Sequence, residues 1–293
     1  MENLREIVDE NLKKLEQDDK YYYLYKYMSF DNDMLVLNIF DNAQLKYTKP
    51  QNFNDPYDCG FLINVDFTNF NKSNVEKSIR LKLSNREWLH NKNKIKDKFK
   101  TVFKDDFLKD YRNQIAVTCY TTNPLNILMW SHYARNHTGF VIEFKYPKQH
   151  ETVDNVESFD MPFPVLYTEK YPVIGLNWNF LDDESIDEPD NQADLIAKMV
   201  LTKAKFWSYE NEFRSILFSV PKDENIVLRN IDPKSISNII VGSNISKKHL
   251  EQLTNSIIAF NKKNQSKVGI YHSDIMNDRY ELYIPQFSRF KGK

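Results

Sequence analysis

Six glycines in 293 residues leave little room for the glycine-rich loops on which doubly wound nucleotide folds depend. Neither G-x-G-x-x-G nor G-x-x-x-x-G-K-S/T occurs. Strand-like and helix-like segments interleave without regular βαβ spacing, which predicts an α+β fold rather than a parallel α/β one. Strands are expected over YYYLYKYMS (21–29), the segment ending at Pro50, QIAVTCY (114–120), GFVIEFKY (139–146), VLYTEKYP (165–172), the 235–242 region, KVGIYH and RYELYIP. Helices are expected near the N-terminus (Leu4, Ile7, Val8, Leu12, Leu15), from Asp33 to Phe40, from Pro124 to Arg135, from Asn191 to Lys205 and from Lys247 to Lys262. No internal repeat appears, and the chain reads as a single α+β domain spanning 1–293.

One interval differs in character. Residues 71–112 hold 13 Lys or Arg against 6 Asp or Glu. Ile95, Phe99, Val102, Phe103 and Phe107 keep helical spacing, while Lys92, Lys96, Lys100 and Lys104 recur every four residues on another face. This predicts a helical basic insertion. Its lysines form either a solvated face or a footprint for nucleic acid. By contrast, DDESIDEPD (182–190) is an acidic loop.

Bulk properties narrow the class further. Hydrophobic residues make up 41% and charged residues 28%, which places the chain among globular proteins rather than disordered ones. The net charge of -1 gives no global attraction to nucleic acid or an acidic membrane, so any such preference is local. Cys59 and Cys119 alone make neither a disulfide framework nor a zinc site. The charged N-terminus lacks an apolar signal core and no window is long enough to span a membrane, so a soluble cytoplasmic protein is expected.

Two stretches carry candidate chemistry. In KFWSYENEFRSILF (205–218), strand alternation would put Glu210, Glu212, Arg214, Ile216 and Phe218 on one face. Two carboxylates so close couple, and one pKa is pushed upward. With Arg214 they make either a solvated salt-bridge ladder or the acidic edge of a site. In ILMWSHYARNHTGFVIEF (127–144), Trp130, Tyr133, Ala134 and His137 share a helical face. Such a stripe is core more often than ligand platform, yet Trp, Tyr and His together can also stack a planar ring. Asp55 and Asp58 in NDPYD suit turn chemistry or metal ligation, and Glu143 ends a strand pattern.

LYKYMS, LKYTKPQNFNDPYDC, WSHYARNHTGFVIEF and KFWSYENEFRSI occur in that order. Together they resemble a bacterial family classed as domain of unknown function 2971, from about Tyr23 to Ile240. A more distant resemblance is to the ADP-ribosyltransferases, α+β enzymes with mixed sheets around a cleft that binds NAD. That resemblance implies an NAD-dependent transferase, a toxin or phage-defence effector modifying nucleic acid or protein. Glu212 would be the essential carboxylate and Glu210 would orient the acceptor. Tyr133, with Trp130 and His137 on the same stripe, would hold the nicotinamide ring, and Tyr25, Lys26 and Arg214 would complete the NAD site. The basic 71–112 region would hold a nucleic-acid acceptor. Two alternatives stand beside it. One is a Mg²⁺-dependent nuclease or phosphoesterase with Asp55, Asp58, Glu143 and Glu212 converging on the ion. The other is a non-catalytic binding module.

Overall fold

The computed structural model describes residues 10–11, 13, 15, 17–30, 35–101, 112–148, 162–178, 195, 198–224, 226–287 and 289. Strand β1 (Tyr21–Met28) leads through helix α1 (Asn38–Asn42) to β2 (Gln44–Thr48). Strand β3 (Leu62–Asp66) precedes helices α2 (Lys72–Ile79) and α3 (Asn85–Thr101). Next come β4 (Ala116–Thr121), α4 (Ile127–Tyr133) and β5 (Phe140–Pro147). Four short strands follow: β6 (Phe163–Pro164), β7 (Leu166–Thr168), β8 (Val173–Asn177) and β9 (Thr202–Ala204). After β10 (Glu212–Leu217) the chain forms β11 (Ile226–Asn230), β12 (Ile236–Val241), α5 (Lys247–Asn264) and β13 (Gly269–His272). The pair β14 (Asp274–Ile275) and β15 (Leu282–Tyr283) lies beyond. The mixture of several sheets with helices is the α+β architecture that the irregular spacing predicts.

The main sheet branches at β4. Strand β10 pairs with it antiparallel from Glu212 opposite Thr121 to Leu217 opposite Ala116. The other edge of β4 is shared, because Tyr25 of β1 also lies opposite Thr121 while Thr48 of β2 lies opposite Val117. One arm continues from β2 to β11. The second runs from β1 through β5 and β12 to β13, the last pair parallel. The 231–235 connection carries the chain from one arm to the other.

Alternation explains how one strand serves two cores. Leu24 of β1 packs with Phe140, Ile142 and Phe144, whereas Tyr23, Tyr25 and Tyr27 pack on the other face with Trp130, Val141 and Ile240. Helix α5 closes the first core by burying Leu253, Ile257 and Phe260 at helical spacing, each stabilising by about 1.5–3 kcal/mol. Ser246 caps its start by accepting from the His249 N–H, and Gln265 ends it in the left-handed region.

Two glycines sit where backbones meet. A Cβ on Gly139 would lie 2.1 Å from the Met28 carbonyl oxygen, and one on Gly242 would lie 2.1 Å from that of His137. Neither backbone oxygen can rotate away. Gly242→Ala is therefore expected to destabilise by about 1–3 kcal/mol or more, through forced displacement of a packed backbone, and a lowered thermal midpoint by calorimetry is the check.

The basic interval forms α2 and α3, while 102–111, with Val102, Phe103, Lys104 and Phe107, lies outside the described residues. Three of its lysines lean on rings. The Lys96 ammonium is 4.5 Å from the Phe67 ring, Lys100 is 5.9 Å from the same ring, and Lys92 is 5.8 Å from Trp88. Those rings border an aromatic cluster of Phe70, Trp88, Phe99 and Trp178. The lysines thus cover apolar surface with their stems and add a cation–π contribution of about 0.5–1 kcal/mol each.

Several expected elements change. The helix foreseen over 191–205 is helical at Lys198–Val200 but gives way to strand β9, which pairs in parallel with β7. The strand foreseen over 165–172 shortens to β7, and the parallel pair β3–β8 is a further pair of strands that was not foreseen. Most of the N-terminal helix and the 182–190 loop lie outside the described residues. Among those described, no helix is long and apolar enough to cross a membrane.

Candidate active site

The stretch at 205–218 is not one continuous strand. Lys205–Glu210 forms a 3₁₀ turn, Asn211 takes a left-handed conformation with φ 44°, and only then does β10 begin. Alternation holds within the strand: Arg214 and Ile216 face a core built on Cys59, Val117 and Val200, whereas Phe213 and Leu217 face the main core. Glu210 rejoins Glu212 through the turn rather than through pleating. The turn is held because Thr121 Oγ1 donates to the Glu210 carbonyl at 2.5 Å and Asn126 Nδ2 donates to that of Tyr209 at 2.7 Å.

None of these charges is solvated. Glu210 is 2% exposed, Glu212 5% and Arg214 0%, so the picture of a surface salt-bridge ladder does not hold. Arg214 grips Glu212 with both Nε (2.7 Å to Oε1) and Nη2 (3.2 Å to Oε2), a bidentate geometry. Its Nη2 also reaches Asp58 Oδ2 at 2.7 Å, and Nη1 donates to the Val200 carbonyl. Lys203, delivered by β9, completes the cluster. Its Nζ lies 2.5 Å from Glu210 Oε2, 2.8 Å from Glu212 Oε2 and 3.5 Å from Asp58 Oδ2.

The environment separates the two glutamates. Burial raises the pKa of Glu212, but Arg214 and then Lys203 outweigh it and hold the group well below the ordinary carboxylate range. For Glu210 burial prevails over Lys203, so its pKa is raised. Lys203 and Arg214 are each held charged, since Glu212 and Asp58 together overcome the desolvation that opposes it. Counted formally, three carboxylates face two cations, so one proton neutralises the cluster. Glu210 is the group poised to take it.

Glu210 also has the route outward. The Tyr133 hydroxyl donates to Glu210 Oε1 at 2.6 Å and accepts from Nδ2 of the exposed Asn54 at 3.4 Å. Beside Lys203, whose ammonium lies 5.1 Å from the Trp207 ring, a small pocket of about 170 Å³ is lined by Tyr57, Lys170, Tyr171 and Thr202.

Of the residues proposed from sequence, the structure brings together Glu210, Glu212, Arg214 and Tyr133. It does not bring Tyr25, Lys26, Trp130 or His137 to them. Tyr25 is fully buried and donates to Glu143 Oε1 at 3.2 Å. Lys26 alternates away from Tyr25 along β1 and donates to the Cys119 carbonyl at 3.1 Å, its pKa lowered by burial. Trp130 is 0% exposed, with its indole N–H donated to the Pro124 carbonyl and its ring parallel to that of His137 at 5.9 Å. Trp130 is core, whereas His137 lies beyond the end of α4 in the left-handed region, half-buried and stacked on Trp130.

The proposed metal ligands do not converge either. Glu143 lies three strands from Glu212 along the row Glu212–Thr121–Tyr25–Glu143, roughly 14 Å at the usual strand spacing. It is bonded instead by Asn238 and by Arg289, each at 2.6 Å. Asp55 accepts from the Tyr57 N–H, the turn role that NDPYD suggests. Asp58 does join Glu212, but Lys203 bridges the two where a shared cation would sit. No group of three or more His, Cys, Asp or Glu among the described residues is arranged to hold a metal ion.

Lys203 is the member that sequence reasoning missed. It falls in TKAKFW, a segment read as helical, and nothing in its spacing relative to Glu210 announces a contact. Asp58 was visible only as a turn residue or a metal candidate.

Residues 129–215 match the model of a family described as "Protein of unknown function (DUF2971)". The matched interval holds Tyr133, Lys203, Glu210, Glu212 and Arg214; the LYKYMS and NFNDPYDC motifs fall before it. No curated protein and no solved structure matches the chain.

Proposed function

We propose that the chain is a glycosyl-transferring enzyme with NAD as donor, in which Glu210 rather than Glu212 is the carboxylate that exchanges a proton. The observation that carries this reading is the bond from Tyr133 to Glu210, which links the one glutamate of raised pKa to the surface at Asn54. Glu212 is suited to a different role. Both its oxygens are bonded by Arg214 or Lys203, so it fixes those cations and, through Lys203, the position of Glu210.

A carboxylate of raised pKa holds a proton to higher pH than an ordinary one and can return it, and Tyr133 can relay it between Glu210 and a group at the mouth. Cleavage at a ribose develops positive charge, which an adjacent carboxylate stabilises. Support for NAD comes from the order of the sequence motifs and the paired glutamates. The walls first assigned to the dinucleotide, Tyr25, Lys26, Trp130 and His137, do not fit around this mouth. Asn54 is the exposed side chain at Tyr133, while Tyr57, Tyr171 and Trp207 lie on the Lys203 side of the cluster.

Nicotinamide release from NAD is the test. Glu210→Gln is expected to lower the rate by about 10²–10⁴-fold, the usual range for a lost acid–base group, with the fold retained because glutamine still fits between Lys203 and Tyr133. No release by the wild type, with no NAD binding by calorimetry, would refute this function. A second reading, that the cluster only ties the 54–59 loop to the sheet, is favoured by the complete bonding of Glu212 and Arg214. Under it Glu210→Gln alters stability and nothing else.

A further inference from the structure

A second cleft, of about 1230 Å³, opens between the two arms of the sheet. Strands β2 and β11 line it from one side, β5 and β12 from the other, and the 231–235 connection also contributes to its wall. It lies on the face of β10 opposite the charge cluster, because Ser215 and Leu217 line it while Glu212 and Arg214 alternate away. The two sites are therefore separate.

The lining has two kinds of surface. Tyr146, half-buried, and the edge of Tyr47 form an aromatic floor, backed by Tyr120 and Phe144, which are buried in the main core. Tyr120 stands edge-on to Phe144 at 5.4 Å and to Tyr146 at 6.0 Å, so the rings are fixed by one another. Around this floor are Lys145, Arg229, Lys234 and Lys267. Lys145 lies 5.1 Å from the Tyr21 ring. Arg229, Lys234 and Lys267 are exposed and have no carboxylate partner among the described residues. The acid among the lining residues is Asp232, and its carboxylate is committed to the Lys234 N–H, at 2.9 Å, in capping the turn at Pro233–Ser235.

An aromatic floor edged by unpaired cations suits a ligand with a planar ring at one end and concentrated negative charge at the other. The volume exceeds what one ring or one phosphate needs and lies somewhat above the usual range of small-molecule sites, about 300–1,000 Å³. We propose that this cleft binds a nucleotide, its base on the Tyr146 ring and the edge of Tyr47 and its phosphates against Arg229, Lys234 and Lys267. The chain would thus carry a nucleotide site distinct from the acid–base centre.

Calorimetric titration of the full chain with ADP, adenosine and inorganic pyrophosphate tests this. ADP is expected to bind at least tenfold more tightly than either half, and less tightly as salt rises. The double variant Arg229→Glu with Lys234→Glu alters two exposed side chains and is expected to weaken ADP at least tenfold. Glu210→Gln is expected to leave ADP affinity unchanged, which separates this site from the proposed catalytic one. Absence of ADP binding at millimolar concentration would overturn the proposal. So would equal affinity in the rim variant, loss of ADP binding in Glu210→Gln, or binding of a single-stranded oligonucleotide without binding of ADP.

Discussion

Arg214→Met is expected to destabilise the protein by about 3–5 kcal/mol, because it removes one partner of a buried ion network and leaves the others uncompensated. The fully buried guanidinium bonds Glu212 through two nitrogens, Asp58 through one and the Val200 carbonyl through another. Methionine fills similar space but satisfies none of them. Against a domain stability of about 5–15 kcal/mol, a loss of that size is visible as a large fall in denaturant midpoint. Arg214→Lys would keep the charge and lose the fork, so it is expected to recover only part of the loss. The double variant Arg214→Met with Glu212→Met is expected to be more stable than Arg214→Met alone, since it removes a stranded anion together with its partner. If the double variant were less stable than the single one by the full cost of a second lesion, the two groups would not be coupled.

Lys203→Met is the second large effect, and its size depends on pH. In the wild type Glu212 has a lowered pKa, so its stabilising contribution is present above its ordinary value of 4.5 and is lost as pH falls through the lower folded value. Glu210 has a raised pKa, so the folded state holds its proton more tightly and stability declines as pH rises above 4.5. The two glutamates oppose each other. Without Lys203, Glu212 keeps Arg214 while Glu210 loses its cation, and both glutamates bind protons more tightly in the folded state than they do in the wild type. The deficit relative to wild type then grows with rising pH for both glutamates. The variant is expected to be about 3–5 kcal/mol less stable than wild type near neutrality and to regain part of that at pH 5, about 1.4 kcal/mol for each unit by which a carboxylate is raised. Thermal midpoints of both proteins at pH 5 and 7.5 measure this. A deficit that does not shrink on acidification would mean that Lys203 acts by packing alone.

The buried network is costly for any fold to retain. A buried ion cluster is weak evidence for stability, since well-packed apolar groups often do as well. Here it also sets the protonation of one glutamate against another, the arrangement by which acid and base roles are assigned in many active sites. The same five charges therefore serve as a structural tie and as the tuning of Glu210, and the Glu210→Gln rate measurement separates the two.

Sequence alone determined the local elements and their faces. The aromatic strand at 21–29, the helix from Lys247 to Lys262 and the alternation of Glu212, Arg214 and Ile216 are all short-range patterns, and each appears in the structure within a residue or two of its expected bounds. It also singled out the Glu-x-Glu-x-Arg motif. What it could not determine was burial and company. Whether Glu212 met water or Arg214 depended on Cys59, Val117 and Val200 closing over it from three other segments. Lys203 reached the glutamates because β9 pairs with β7, a contact between segments more than thirty residues apart. Trp130 and Tyr133 share one helix, yet one is sealed in core and the other reaches Glu210, a difference decided by the strands packed against each side. Periodicity is a property of neighbouring residues. The pKa of a carboxylate and the walls of a cleft are properties of whatever distant chain folds over them, and only the tertiary structure decided those.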